Sequence, residues 1–290
     1  MTAAMPSSAP LGERVFDVEI ADKVAHIRLA RPEKLNSMVP RFWSELPQIV
    51  RDISDNARAR CIVISSTGRH FSSGMDLAVF SANQDLAGAA AGDPRTTNEA
   101  FRHKVLALQD TFSCLEEARM PVLVAIQGGC IGGAVDMVSA CDIRYCTADA
   151  FFQVQEINIG MTADVGTFPR LCKLIPDGLV RELAYTGRRL AADRALKAGL
   201  VNEVFADHAA MMTSVMETAH EIASKAPLAV AGSKMMITYA KDHSTRESLD
   251  RIALWQTGMF APDHMREAFM AMKEKRQPRF PDLAPIKKDL

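Results

Sequence analysis

Two short, almost wholly apolar runs, Cys61-Ile-Val-Ile-Ser65 and Val122-Leu-Val-Ala-Ile126, each give way to a glycine-bearing turn. Runs of this length bounded by turns read as buried strands, which need covering elements on their faces. The stretches between them have helical spacing. Pro40 to Asp55 sets Phe42, Leu46, Ile49, Val50 and Ile53 on one face, and Asn98 to Glu117 does the same with Phe101, Val105, Leu108, Phe112 and Leu115. Residues Val15 to Leu29 read as two strands around a turn at Ala21-Asp22, and Ile143 to Cys146 as a further strand. From Asp177 onward the pattern is helical, broken near Gly199, Pro227, Asp242 and Pro262. Strands alternating with helices, then a helical C-terminal third, predict an α/β core with an α-helical appendage. The divisions fall at 1–13, 14–205 and 206–290, the first being a small, polar lead-in expected to be disordered. Ala82 to Thr97, rich in Ala, Gly, Asp and Pro, reads as a mobile loop or weak helix.

Composition closes several routes. With 34 basic and 35 acidic residues, nothing global favours nucleic acid or an anionic membrane. No apolar run approaches the ~18 residues of a spanning helix, and Met1 to Gly12 has neither an apolar export core nor an Arg-rich amphipathic pattern, so a cytoplasmic location is expected. Cysteines 61, 114, 130, 141, 146 and 172 show neither a paired framework nor a histidine cluster to complete a metal site. They read as small buried residues in a reducing compartment.

The chemistry concentrates between Gly128 and Asp164. Gly128-Gly-Cys-Ile-Gly-Gly133 lies between a strand and a helix, but a dinucleotide site would need glycine at 130 or 131, which are Cys and Ile. Gly132 and Gly133 would still let a ligand oxygen approach backbone amides at a helix start, suited to an enolate; the alternative is a plain tight turn. Ser72-Ser-Gly-Met-Asp76 is not a nucleophile elbow, yet could bring a second amide, at Met75. Asp136, Glu156 and Asp164 then stand within 29 residues of one another, each in apolar or small-residue surroundings. Singly, each reads equally as a cap or a surface acid. Together, beside an anion site, they point to a proton moved next to an activated carbonyl, since burial raises carboxyl pKa values toward neutrality.

Four segments in order resemble the crotonase, or enoyl-CoA hydratase/isomerase, superfamily from about Arg14 to Phe280. They are Arg31-Pro-Glu-Lys-Leu-Asn-Ser-Met38, Phe71-Ser-Ser-Gly-Met-Asp-Leu77, Pro121 through Asp136, and Lys273-Glu-Lys-Arg-Gln-Pro-Arg-Phe280. The resemblance implies a ββα spiral core with a helical C-terminal trimerisation region, assembled as a homotrimer or homohexamer. It also implies an acyl-CoA thioester substrate with no metal and no separate cofactor, coenzyme A being part of the substrate. By the same resemblance the oxyanion hole falls on the amides of Met75 and Gly133. The two glutamates of the hydratases fall on Asp136 and Glu156, so the first is here an aspartate.

That departure agrees with a narrower likeness. Gly128 through Asp136, Asp142-Ile-Arg-Tyr-Cys146, Asp149 through Val154 and Ala163-Asp-Val-Gly-Thr167 are similar to the Δ(3,5)-Δ(2,4)-dienoyl-CoA isomerases, whose third acid falls on Asp164. Ala134 departs from the subfamily's third glycine. The implied reaction belongs to fatty acid β-oxidation: Glu156 takes a proton at C2, Asp164 delivers one at C6, and Asp136 orients or polarises its neighbours. Lys275, in a stretch from His264 to Leu290 with seven Lys/Arg against four Asp/Glu, falls where the family often places a lysine that contacts phosphate in its own or a neighbouring subunit; a solvated charge is the alternative. The competing functions are a 2-enoyl-CoA hydratase and a non-catalytic acyl-CoA-binding protein of the same fold. Acyl chain length would depend on residues between Ala82 and Lys104.

Overall fold

A computed structural model describes residues 3–4, 14–76 and 93–287. The two apolar runs form β4 (Cys61–Ser66) and β5 (Val122–Ile126), lying side by side in parallel at the centre of a seven-stranded sheet. The sheet is completed by β1 (Ala3–Ala4), β2 (Phe16–Ala21), β3 (Val24–Leu29), β7 (Ile143–Thr147) and β10 (Glu203–Phe205), in the order β1-β2-β3-β4-β5-β7-β10. The β2–β3 hairpin turns at Asp22 and Lys23, one residue later than the sequence suggests, both with positive φ. Ala3 and Ala4 pair antiparallel with Ile20 and Glu19. The lead-in expected to be disordered thus contributes a short strand, because the outer edge of β2 offers unpaired backbone groups; the rest of 1–13 lies outside the described residues.

Alternate residues of β4 serve two faces. Ile62 and Ile64 join the main core with Phe42, Leu46 and Phe112, while Cys61 and Val63 meet Met211, Val215 and Ala219 of the helix His208–Ser224. That helix covers the second face of the sheet, so the expected boundary at 205 runs through a shared core. The helices that follow are Pro227–Ala240, Thr245–Met259 and Pro262–Glu274, after which the chain returns extended to the core. There Arg60 binds the Phe280 carbonyl at 2.6 Å and pairs with Asp282, and the Ile286 amide reaches Asp55.

A second, three-stranded sheet is made of β6 (Gly129–Ile131), β8 (Phe151–Gln153) and β9 (Leu190–Ala191). Single bridges, Ser72 to Cys130 and Met38 to Met75, extend it. A strand in the large sheet, a strand in the small one and then a helix recur as β5, β6 and Gly133–Ser139, and again as β7, β8 and the helices after Thr167. This is the expected ββα repeat. The glycine run, read as a turn between a strand and a helix, therefore contains a strand of its own. Leu190–Ala191 and Glu203–Phe205, inside a stretch read as helical, are strands for the same reason: each completes a sheet edge, and pairing overrides weak local preference.

Helix α1 (Pro40–Asp55) matches its expected bounds, whereas α2 (Pro94–Glu117) starts four residues before Asn98. Its N-cap, Asp93, accepts a hydrogen bond from the Arg95 amide. The expected loop or weak helix from Ala82 to Thr97 falls largely outside the described residues, apart from the start of α2. Five cysteines are buried and Cys172 is exposed, contrary to the expectation of uniform burial, because it sits on the outer side of the turn after Leu171.

Candidate active site

The small sheet places successive turns of the chain edge to edge, and the site lies where they meet. The first turn is set by the segment Arg31 to Met38. Asn36, only 3% exposed, donates to the carbonyls of Thr67 and His70 and accepts from the Arg31 amide. Ser72 in turn donates to the Asn36 carbonyl. These bonds clamp the loop that carries Met75. The Met38 amide binds the Gly74 carbonyl, and the Asp76 amide binds the Met38 carbonyl. A bridge of this register uses the groups on either side of Met75 and turns its own N–H away from Met38.

The second turn is Gly132-Gly133. Gly132 adopts φ 56° and ψ −125°, a conformation reserved in practice for glycine. A Cβ there would stand 3.1 Å from Oε1 of Glu156, and one at Gly74 would stand 2.6 Å from the Ile131 carbonyl oxygen. Both glycines permit a close approach that no other residue allows. At Gly133 the corresponding Cβ position is 4.0 Å from the Met75 nitrogen, so the two amides are neighbours. Gly133 opens the helix Gly133–Ser139, where the first amides have no intrahelical acceptor. Neither the Met75 nor the Gly133 amide hydrogen has a protein acceptor among the described residues.

The three acids converge on the same space. Asp136 is 1% exposed, and its Oδ1 accepts two hydrogen bonds from Thr167, at 2.6 Å from the amide and 2.7 Å from the hydroxyl. Burial pushes its pKa up to about 6 against those bonds, with Asp164 raising it further and Arg170 lowering it. Glu156 begins a short 3-10 turn, Glu156–Ile159, directly after β8. Its Oε2 is buried with no hydrogen-bond partner among the described residues, and burial, reinforced by the charge of Asp136, pushes its pKa up to about 7. Asp164 is also raised by burial, and Gln109 of α2 holds its backbone carbonyl at 2.7 Å. Groups titrating near neutral pH inside a cleft are what acid–base chemistry requires.

A cavity of about 830 Å³ is lined by Met75, Gly133, Asp136, Glu156 and Asp164 together. Five of the six residues singled out in the sequence are therefore assembled in one place. Lys275 is not among them. It is exposed at the left-handed end of the helix Pro262–Glu274 and does not line the cavity of its own chain.

Other lining residues were not legible as site residues. Trp43 of α1 is 8% exposed, and its indole nitrogen has no hydrogen-bond partner among the described residues. Arg189 stands over the Phe151 ring, 4.1 Å from its centroid. Phe101, Val105 and Leu108 also line the cavity, while Phe112 and Leu115 on the same stripe of α2 are fully buried. A periodic apolar stripe does not say which half meets the core and which a ligand. Among the described residues no group of three or more His, Cys, Asp or Glu is arranged to hold a metal.

Residues 19–283 match the model of the enoyl-CoA hydratase/isomerase family. The chain is 44% identical over 254 residues to the mouse protein named Delta(3,5)-Delta(2,4)-dienoyl-CoA isomerase, mitochondrial, covering 87% of this chain and 77% of that one. An Arabidopsis thaliana protein of the same activity name, described as peroxisomal, is 36% identical, covering 90% of this chain and 93% of that one. The crystal structure of an enoyl-CoA hydratase from Bacillus anthracis superimposes with a TM-score of 0.80 at 28% identity, over 94% of this chain and 100% of that one.

Proposed function

The chain belongs to the enoyl-CoA hydratase/isomerase family, and from that membership we propose the following account of its chemistry. The protein is an isomerase of fatty acid oxidation that shifts the double bonds of a 3,5-dienoyl-CoA to the 2,4 positions, on a crotonase-type ββα core. The observation that carries the mechanism is the meeting of three carboxyl groups and two free amides in one cavity.

Removing a proton from C2 of a 3,5-dienoyl thioester spreads negative charge from the thioester oxygen along the chain to C6. The amides of Met75 and Gly133 receive that oxygen. Because they are fixed by the sheet before the charge develops, they stabilise it without reorganising. Glu156, beside Gly132, takes the C2 proton. Asp164, on the segment after the Glu156 turn, gives a proton to C6. Two acids are needed because C2 and C6 are too far apart for one short side chain. Asp136, buried near both, serves as an orienting charge. Coenzyme A enters as part of the substrate, and the scheme calls on no metal or separate cofactor. The apolar half-turns of α2, with Phe101, Val105 and Leu108, receive the acyl chain.

Two further features belong to this reading. Lys275 serves the coenzyme phosphates of a neighbouring subunit in a homotrimer or a pair of trimers. That it does not line the cavity of its own chain supports this, as do the exposed Ile237, Leu254, Phe269 and Met272 on the C-terminal helices. The location is proposed as cytoplasmic, although relatives are named mitochondrial and peroxisomal, and fractionation of the native cells decides it. Among the described residues no helix is long and apolar enough to cross a membrane.

The test is a pair of assays on the purified protein. Absorbance of a new conjugated diene from 3,5-dienoyl-CoA supports the reading. Formation of 3-hydroxyacyl-CoA from a 2-enoyl thioester, without diene formation, would make the protein a hydratase, and inertness toward both would leave an acyl-CoA-binding protein.

A further inference from the structure

Thr167 takes no direct part in the scheme above, yet it makes the closest polar contacts in the site. It is fully buried, and both its amide and its hydroxyl donate to the same oxygen, Oδ1, of Asp136. The two residues lie on different elements. Asp136 belongs to the helix Gly133–Ser139, whose first amide forms half of the oxyanion site. Thr167 opens the turn Thr167–Leu171, three residues after Asp164. That segment is itself braced against α2. Arg170 binds Glu116 at 2.8 Å and the Ser113 hydroxyl at 3.2 Å, and Gln109 holds the Asp164 carbonyl. The Asp136–Thr167 contact is therefore the tie between the element that carries an oxyanion donor and the element that carries the C6 acid.

We infer that Thr167 is a positioning residue for the isomerisation: by holding Oδ1 of Asp136 with two donors, it fixes the free oxygen toward the cavity and favours the ionised carboxylate. A buried carboxylate is costly to ionise unless donors compensate it. The charged and titratable groups facing Asp136 are Arg170, Asp164, Glu156 and Cys130. Arg170 is already engaged with Glu116, and Asp164 and Glu156 oppose ionisation. Thr167 supplies the direct hydrogen bonds that favour it.

This inference rests on the isomerase reading only for its kinetic arm. Thr167→Val keeps the shape and removes the hydroxyl donor. It is expected to lower kcat about 10- to 100-fold with KM within about twofold, since a hydrogen bond to a buried charge has that weight. The infrared titration of the Asp136 carboxyl, assigned with Asp136→Asn, should move to higher pH in Thr167→Val and return in Thr167→Ser, which also recovers kcat. In the unaltered protein the Thr167 amide proton resonance should titrate with Asp136, near pH 6. This arm needs neither a variant nor a substrate. An amide resonance that does not move between about pH 5 and 8, or a folded Thr167→Val with unchanged kcat and unchanged Asp136 titration, overturns the inference. If the wild-type protein shifts no dienes, the isomerase reading fails, while the two titrations still judge Thr167.

Discussion

Glu156 and Asp136 show how a carboxyl group becomes useful at neutral pH. Among the described residues nothing cationic is paired directly with either, so burial dominates and lifts them to about 7 and about 6. The sign of the consequence for stability follows. A raised folded-state pKa means the folded chain holds protons that the unfolded chain has released, so the contribution is full below about pH 4 and is lost as pH rises through 6 to 7. Glu156→Gln should therefore raise the melting temperature relative to wild type, by more at pH 8 than at pH 5, with an upper bound of about 3 kcal/mol. Equal effects at the two pH values, by differential scanning calorimetry, would mean that Glu156 is not held up by burial. Turnover should follow the same group in the other direction: kcat/KM should fall as pH drops below about 7, because the base must be ionised. The acids themselves were legible in the sequence by their surroundings. Thr167 was not, because a threonine 31 positions from its partner carries no local signal, and the contact exists only once the fold brings two elements together.

Among the elements, the glycine run explains both what could and what could not be read. Its use as a close-approach turn was visible in residue type, but β6 was not, since three residues with a glycine have little strand preference without a partner to pair with. Pairing with Phe151–Gln153 supplies it, and thereby sets Gly132 against Glu156. Gly132→Ala must strain a φ of 56° and crowd the Glu156 carboxyl, and so should lower kcat about 100-fold or more while the chain still folds. Circular dichroism together with steady-state kinetics checks this, and retention of kcat would show that the turn tolerates a side chain. A second element depends on one buried lysine. Lys234, 7% exposed, fastens the helix Pro227–Ala240 to the carbonyls of Leu115 and Met120 and to Asp142. Lys234→Ala should cost about 3 kcal/mol in chemical denaturation, much of it from leaving Asp142 unpaired. A loss below about 1 kcal/mol would remove the lysine from the account of that helix.

For the molecule as a whole, the alternation of strands and helices announced the α/β class, and the fully buried β4 and β5 were the clearest part of the reading. Less legible was how the C-terminal region divides. Its first helix is amphipathic like the rest, and only the second face of the sheet makes it core. The later helices keep large apolar side chains exposed, and Lys275 does not line the cavity. The proposed packing of subunits through this region accounts for both features. Sedimentation should then give a trimer or hexamer, and Lys275→Ala should raise KM severalfold with kcat retained; a monomer of full activity would break that link.

In the proposed mechanism Glu156 and Asp164 serve the two ends of one dienolate. The direct measurement is the fate of a 3,5-dienoyl-CoA on Asp164→Asn in deuterated water, followed by diene absorbance and by NMR at C2. With Glu156 and both amides intact, C2 should still exchange its hydrogen for deuterium while formation of the 2,4-diene falls by about 100-fold or more. Full diene formation by Asp164→Asn would contradict the division of labour, and loss of C2 exchange together with diene formation would place Asp164, not Glu156, at C2.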